Sequence, residues 1–209
     1  PAHAQESSAS LRGNVQGASE ITAVEVNTGF RRTVPVSADG TYNFAQLRPG
    51  TYRLETEYSG TINTQANGLF ALNYPDKRTG KDVRALFTQF EAPDARRFAP
   101  MFDEPAYKAT FDLSAIVPAD QMAVSNTPAA SEDDLGDGTK RVTFMTTPKM
   151  STYLLFFGLG ELERAAKMAG QTEVGVITGK GNTGKAQLAL DASASILPYF
   201  NDYFGVPFP

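Results

Sequence analysis

The chain has no cysteine and only one histidine, His3, among its 209 residues. Without cysteine it can form no disulfide bond and no metal site built from thiolates. His3 lies in a polar terminal stretch, and the sequence shows no Ser-His-Asp or Cys-His set around it. The residues themselves therefore offer no hydrolytic apparatus of these kinds.

Long apolar runs and an excess of positive charge are also missing. No segment approaches the roughly 18 consecutive apolar residues of a membrane-spanning helix. The formal net charge is −4, whereas proteins that bind DNA or RNA concentrate Lys and Arg on one face. We therefore expect neither a transmembrane segment nor a nucleic-acid partner.

The amino terminus contains Ala2-His3-Ala4 followed by Gln5. This stretch fits the small-x-small cleavage pattern of a secretory signal peptide, whose charged and apolar regions would precede residue 1. One interpretation places the mature protein in the cell envelope, periplasmic or associated with the outer membrane. The other is an ordinary polar terminus. We expect a location in the cell envelope, and we expect residues 1–10 to form a mobile amino terminus.

Alternating apolar residues separated by turn signals fill the first part of the chain. With 41% hydrophobic and 11% aromatic residues, the composition supports a packed core. The alternation predicts five short strands, at residues 11–15, 21–26, 32–36, 42–44 and 51–58. Asp39-Gly40 predicts a type I′ hairpin turn, because that turn needs positive φ angles.

Strands continue through the rest of the chain. They are predicted at residues 69–74, 107–117, 122–125, 141–145 and 153–159, the last being almost wholly apolar and therefore buried on both faces. The acidic stretch 132–138 is predicted to be an exposed turn, since it lacks the final glutamate of a calcium loop. Residues 179–185 have the glycines and lysines of a phosphate loop, but Ala186 follows Lys185 where Ser or Thr is required. Nucleotide binding is excluded.

The stretch from residue 87 to residue 111 is the most informative part of the sequence. Side chains alternate along a strand, so Phe87, Gln89 and Glu91 are predicted to share one face. A turn led by Pro93 then predicts a short helix over residues 93–97. The charged residues around this corner are predicted to form a structural ion network: Asp94, Arg96, Arg97, Asp103, Glu104 and Lys108.

Several motifs in this order resemble the amino-terminal β-domain of the M1 zinc aminopeptidases, the alanyl and puromycin-sensitive aminopeptidase family. The family pattern TQFEPxDARRxFPCFDEPxxKAxF is matched at residues 88–97, 103–105, 108–109 and 111, with Met101 in place of the usual cysteine. The resemblance continues at residues 125–128, 147–154 and 203–209. It covers about residues 50–209.

The resemblance implies a function and a site. In the family, the glutamate at the position of Glu91 binds the α-ammonium group of a peptide substrate, and in some members the residue at the position of Gln89 lines the same pocket. It also implies zinc catalysis by H-E-x-x-H with a distant glutamate ligand. That motif is absent, so whether the chain is an enzyme stays open. The expected function is the amine-binding, catalytically incomplete part of a zinc aminopeptidase that removes amino-terminal residues from peptides.

Residues 5–57 resemble a different family, the carboxypeptidase-regulatory-like β-sandwich that precedes the plug in some TonB-dependent outer-membrane receptors. The matching features are Gly13, Asn27-Thr28-Gly29, Ala38-Asp39-Gly40-Thr41-Tyr42 and Leu47-Arg48-Pro49-Gly50-Thr51-Tyr52. One hypothesis is a hybrid chain, receptor-like before about Pro49, and the other is simple divergence. The alternative function is a non-enzymatic periplasmic β-sandwich module of such a receptor.

The expected fold is all-β, an antiparallel β-sandwich or saddle-like domain with a short carboxy-terminal helix. The predicted divisions are a mobile terminus at 1–10, a regulatory-like segment at 11–57, the aminopeptidase β-domain at 58–182 and the truncated start of the catalytic domain at 183–209. The M1 resemblance makes residues 161–168 a strand, although their propensity also suits a helix. An uncovered apolar surface facing the missing catalytic domain predicts self-association.

Overall fold

The computed structural model describes residues 8–76 and 78–208. These residues form antiparallel sheets followed by one α-helix, so the predicted all-β class with a carboxy-terminal helix is confirmed. The chain divides into two units, the first ending at Thr61 and the second beginning at Ile62. The possible cleavage pattern at Ala2-His3-Ala4, with most of the predicted mobile terminus, lies outside the described residues.

The first unit is a small two-sheet sandwich. Its strands are β1 (Ala9–Asn14), β2 (Glu20–Glu25), β3 (Arg31–Pro35), β4 (Thr41–Leu47) and β5 (Tyr52–Glu55). Strands β1 and β4 form one sheet, and the order β3-β2-β5 forms the other. Side chains from both sheets share a core that includes Ile21, Phe44 and Leu47. The five strands lie where alternation places them.

The predicted hairpin at Asp39-Gly40 is wrong. Strand β3 pairs with β2, and β4 pairs with β1, so this turn joins two different sheets. Gly40 has a φ of +83°, and its N–H donates to the Ser37 carbonyl, so it is the last residue of the turn. Because Asp39 does not adopt positive φ, the turn cannot be type I′.

The second unit contains a larger sandwich. Its strands are β6 (Gly68–Pro75), β7 (Asp82–Gln89), β8 (Lys108–Ala109), β9 (Ser114–Pro118), β10 (Met122–Ser125), β11 (Ala129–Asp134), β12 (Thr139–Phe144), β13 (Met150–Ser151), β14 (Phe157–Gly160), β15 (Leu162–Ala169) and β16 (Thr172–Gly179). A four-stranded sheet in the order β10-β14-β7-β6 and a three-stranded sheet in the order β11-β12-β9 enclose the core. Val142 and Leu159 lie in that core, from opposite sheets.

Three predicted elements of this unit need correction. The strand at 107–117 is split into β8 and β9, because Phe111 instead exchanges hydrogen bonds with Thr147, at 3.0 Å in both directions. The apolar stretch 153–159 begins in a 3₁₀ turn, Thr152–Leu154, and only its end is strand. Residues 132–134 belong to β11 rather than to a turn, since they pair with β12, where Lys140 binds Glu132 at 2.8 Å.

The carboxy-terminal part is a β15–β16 hairpin followed by α1 (Gln187–Phe204), which contains Pro198. The strand assignment for residues 161–168 is therefore correct, because cross-strand pairing outweighs helix propensity there. The helix begins after Ala186 and has no side-chain cap, so neither Asn182 nor Thr183 caps it. Both residues donate backbone N–H groups to the Glu163 carboxylate, at 2.8 and 2.9 Å, which anchors the preceding loop.

Candidate functional site

Gln89 and Glu91 lie at the carboxyl end of β7, which is an inner strand of the four-stranded sheet. Gln89 is the last residue of the strand and pairs with Gly68 on β6, whereas Glu91 lies two residues further in a turn. The intervening Phe90 is buried, as is Thr88, while Gln89 and Glu91 are exposed. The two candidate side chains therefore point away from the core, as the alternation predicted.

A small apolar cluster fixes the turn that carries Glu91. Phe90 and Ala95 are 2% and 0% exposed and pack with Leu155. Asp94 donates its N–H to the Phe90 carbonyl at 3.0 Å, which closes the turn over this cluster. The predicted helix at 93–97 is only a 3₁₀ turn at Ala95–Arg97. The candidate carboxylate thus projects from a packed corner.

Asp103 is the buried acceptor that holds this corner together. One of its oxygens accepts the Arg96 N–H at 3.0 Å and Nε–H at 3.3 Å. The other accepts the Thr152 hydroxyl at 2.7 Å. Because the Asp103 side chain is only 1% exposed, these contacts replace the water that a carboxylate otherwise requires. The sequence did not single out Thr152 as a partner, although it lies in a motif that matched the family.

The remaining ion pairs are exposed. Arg97 binds Asp94 at 2.6 Å, and Arg96 reaches Glu104 at 3.9 Å. The predicted structural network is therefore present, but among the described residues its arginine guanidinium groups form no bidentate pair with a carboxylate. Lys108 takes part in no ion pair within residues 8–76 and 78–208.

Gly68 provides the space in which Arg97 sits. Its φ is +64°, and a Cβ added there would lie 3.1 Å from the Arg97 Cβ. Both facts disfavour any other residue at this position. Gln89 consequently has a strand neighbour without a side chain, and Arg97 covers that gap.

Glu91 differs from the other acidic residues of the corner. Asp94, Asp103 and Glu104 each lie within ion-pair distance of an arginine. No such partner for Glu91 exists among the residues that the structure describes. An exposed carboxylate without an internal cation, on a well-packed turn, can accept a hydrogen bond from an external ammonium group.

The residues described offer no place for a metal ion. They contain no group of three or more His, Cys, Asp or Glu side chains arranged to hold one. A catalytic zinc ion needs three such protein ligands and keeps a further position open for water or substrate. The zinc site that the M1 resemblance implies therefore does not fit the described residues, and no catalytic step is assigned to zinc within them.

Comparison with protein families decides the relationship. Residues 8–154 match the Peptidase M1 N-terminal domain. The chain belongs to this family. The match begins just before β1 and spans most of both units, so the M1 N-terminal domain includes the segment with regulatory-like motifs. The boundaries predicted between the divisions remain predictions.

Named relatives support the same conclusion. The chain is 38% identical over 198 residues to aminopeptidase N of Acetobacter pasteurianus, covering 93% of this chain and 56% of the relative. It is 37% identical over 165 residues to the puromycin-sensitive aminopeptidase of Caenorhabditis elegans, covering 78% and 17%. The alanine/arginine aminopeptidase of Saccharomyces cerevisiae is 36% identical over 191 residues, covering 90% and 22%.

These names support the aminopeptidase interpretation and not the receptor alternative. The chain spans about half of the Acetobacter relative and less than a quarter of the other two. The chain is therefore an M1 N-terminal domain, and M1 is a family of metallopeptidases. The M1 family is generally zinc-dependent, and the three relatives are named as aminopeptidases.

The expected location in the cell envelope is wrong. It depended on three residues near the terminus, whereas the relatives are named as aminopeptidases without any envelope location. Within the described ranges, no helix has the length and apolar character needed to cross a bilayer.

Proposed function

We propose that Glu91 binds the α-ammonium group of a peptide in a longer zinc aminopeptidase, with Gln89 lining the same pocket. The carboxylate would accept charge-assisted hydrogen bonds from the ammonium group, which distinguishes a free amino terminus from an internal peptide bond. In this proposal the M1 N-terminal domain selects the substrate, and the enzyme removes the amino-terminal residue.

The observation that supports this proposal is the contrast between Glu91 and its acidic neighbours. The neighbours are occupied by arginines, whereas Glu91 is exposed and has no cation partner in the described part of the chain. The packed cluster of Phe90, Ala95 and Leu155 fixes the turn that carries Glu91. Substrate-binding groups gain affinity from such preorganisation, because less conformational freedom is lost on binding.

Catalysis would come from sequence outside this chain. H-E-x-x-H needs two histidines, and the chain has one. Zinc, bound by a catalytic domain, would supply Lewis-acid chemistry and an activated water. The 209-residue chain with added zinc is therefore expected not to hydrolyse amino-acid amides. The catalytic domain and the peptide amino terminus are its proposed partners.

The test is amide hydrolysis by a longer protein that joins this chain to a zinc-binding catalytic domain. Glu91→Gln keeps the size of the side chain and removes its charge. A charge-assisted hydrogen bond contributes about 1.5–3 kcal/mol, so kcat/KM should fall by roughly 10- to 150-fold. Glu104→Gln, on the same corner, is the matched control and should leave kcat/KM within about twofold. Equal losses in both variants would contradict the proposal.

We further propose that α1 makes the isolated chain self-associate. The helix and the residues after it carry exposed apolar side chains, among them Leu188, Tyr199, Tyr203, Phe204, Val206 and Phe208, all 59–82% exposed. An apolar surface of this kind is typical of an interface. Sedimentation should show association at high concentration, and Tyr203→Ser with Phe204→Ser should reduce it. A clean monomer throughout would contradict this proposal.

A further inference from the structure

Strand β16 has an edge that no other strand covers in the part of the chain that the structure describes, since its sheet contains only β15 and β16. Lys180 donates its N–H to the Glu161 carbonyl next to this ladder, and hydrogen-bonded pairs alternate with non-hydrogen-bonded pairs in antiparallel strands. Glu173, Gly175 and Ile177 therefore direct their backbone N–H and C=O groups away from β15. All three are exposed, and these groups have no hydrogen-bond partner among the described residues.

Other sheet edges of the molecule have features that resist a further strand. The edge strand β3 contains two arginines and a proline. The edge strand β11 contains Glu132, Asp133 and Asp134 and pairs with a register shift. The edge of β6 is partly covered, because Asn63 bonds to its backbone. Charges, prolines, irregularities and covering segments are the usual means by which sheets avoid edge-to-edge association.

Strand β16 lacks these features. Its residues, Thr172–Gly179, include no proline or lysine and pair with β15 without a register shift. Its only charged side chain, Glu173, is neutralised by Arg164 of β15 at 2.6 Å. Five of its eight residues are β-branched, which favours a strand. The β15 edge, in contrast, also carries Glu163 and Lys167. The β16 edge is therefore the better suited of the two to accept a further strand.

The outward residues of β16 are arranged symmetrically about Gly175. An antiparallel second copy can place its own Gly175 opposite this residue, and Glu173 of each copy then faces Ile177 of the other. Each of these three pairs can exchange two hydrogen bonds. The arrangement has a two-fold axis and is closed. The two Glu173 carboxylates are four positions apart, about 13 Å along the strands, so they do not oppose each other.

The same register brings apolar side chains together on the face of the hairpin that carries α1. Val174 shares this face with Lys167, its partner across the hairpin, and Lys167 binds Asp191 of α1 at 2.6 Å. In the two-fold arrangement, Val174 of each copy lies opposite Val176 of the other. Cross-strand pairs of β-branched side chains stabilise a sheet. Both copies of α1 would lie on the same side of the combined sheet.

We propose that two copies of the 209-residue chain associate through β16, which forms a continuous antiparallel sheet in the order β15-β16-β16-β15. A second copy is the favoured occupant because the two-fold contact pairs both free edges at once, whereas a single added peptide strand would present a new free edge. The inference does not depend on the function of Glu91. Its contact also differs from the exposed apolar end of α1, which is proposed above to cause self-association.

The test compares Gly175→Pro with Gly175→Ala by analytical ultracentrifugation. Both substitutions add a Cβ, which meets the flexible end of the Arg164 side chain. Only proline removes the N–H group that the contact uses, and an edge strand tolerates proline where its N–H points outward. Gly175→Pro removes the two central hydrogen bonds and should weaken association at least about tenfold, whereas Gly175→Ala should change it by less than about threefold.

NMR of the native chain tests the contact without any substitution, and it decides the question if Gly175→Pro does not fold. Raising the protein concentration should slow hydrogen exchange at the Gly175 and Ile177 N–H groups. Exchange at the Ala166 N–H, which points outward from the opposite edge of the hairpin, should not change. In a mixture of differently labelled chains, the Val174 Hα should give a nuclear Overhauser effect to the Val176 Hα of the other copy.

A monomer at every concentration overturns the inference, and so does association that leaves exchange at Gly175 and Ile177 unchanged. Slow exchange of these groups in the dilute monomer also overturns it, because the chain itself would then cover the edge. If the chain stays monomeric and an acetylated peptide with the sequence of residues 172–178 protects the two groups, the edge takes an extended peptide and not a second copy, which again overturns the inference.

The double variant Tyr203→Ser with Phe204→Ser separates this contact from the one proposed for α1. Association that is weakened by the double variant but not by Gly175→Pro supports the α1 contact and overturns the β16 contact. Association that is weakened by Gly175→Pro but not by the double variant supports the β16 contact and overturns the α1 contact.

Discussion

Replacing Asp103 should destabilise the second unit more than any other single change at the charged corner. In Asp103→Ala, the Arg96 N–H and the Thr152 hydroxyl lose their acceptor. Thr152 is 4% exposed, so water cannot easily replace the lost bond. Each of these two donors left unpaired costs about 1–3 kcal/mol, so we expect a loss of about 2–6 kcal/mol in the free energy of unfolding. The Arg96 guanidinium is half exposed and is not counted.

Asp103→Asn separates shape from charge. The asparagine oxygen can still accept from Arg96, while its NH₂ group can donate to the Thr152 hydroxyl oxygen. Only the charge assistance is lost, and we expect about 1–2 kcal/mol of destabilisation. Glu104→Ala is the matched control. Its carboxylate is 58% exposed and 3.9 Å from Arg96, so its removal should cost at most about 0.5 kcal/mol.

Urea unfolding followed by far-ultraviolet circular dichroism measures these differences. The chain has no tryptophan, so the backbone is the appropriate signal. Because the chain has two units, amide hydrogen exchange in β7 and β14 identifies the transition that belongs to the second. A cost for Glu104→Ala as large as that for Asp103→Ala would refute this account of the corner, and so would a cost below about 1 kcal/mol for Asp103→Ala.

Three further changes have defined outcomes. Thr178→Val removes an unpaired buried hydroxyl, so the free energy of unfolding should stay the same or rise by about 1 kcal/mol, and a loss above about 1 kcal/mol would reveal a missed partner. Val142→Ala creates a cavity at a fully buried position and should cost about 2–3 kcal/mol in urea unfolding, whereas a neutral result would contradict the assigned core. The Arg78 backbone N–H donates to the Asp76 carboxylate and holds its pKa below the usual value of 3.8. The ionised Asp76 carboxylate therefore stabilises the folded protein above pH 3.8. This stabilisation is lost as the pH falls through the lower, folded-state pKa. Asp76→Asn should therefore destabilise the protein at pH 6 and lose this effect near pH 2, and a constant difference across that range would refute the assignment.

The predictions that succeeded came from local alternation and ordered motifs. Side-chain alternation along β7 correctly separated the buried Thr88 and Phe90 from the exposed Gln89 and Glu91. Family motifs assigned residues 161–168 to a strand where propensity alone was ambiguous, and β15 confirms it. In the first case the deciding information lies within a few neighbouring residues, whereas in the second it came from family motifs elsewhere in the chain.

The predictions that failed depended on contacts distant in sequence. Asp39-Gly40 does form a turn, but which strands pair is decided by the cores of two sheets, and β3 and β4 belong to different ones. The strand at 107–117 is interrupted because Phe111 bonds Thr147, 36 residues away. Thr152 likewise depends on Asp103, which lies 49 residues away in the sequence. The space beside Gly158 is filled by Phe87 and Val124 from neighbouring strands. No local pattern signals such contacts.

The most direct test of the central claim is whether this chain recognises a free amino group at Glu91. Alaninamide and N-acetylalaninamide should be titrated separately into the native chain and into Glu91→Gln, with the amide signals of Gln89 and Glu91 followed by NMR. The account predicts shifts for alaninamide with the native chain only, and these should weaken as salt is added. Equal responses to the two compounds, or unchanged binding of alaninamide by Glu91→Gln, would contradict it.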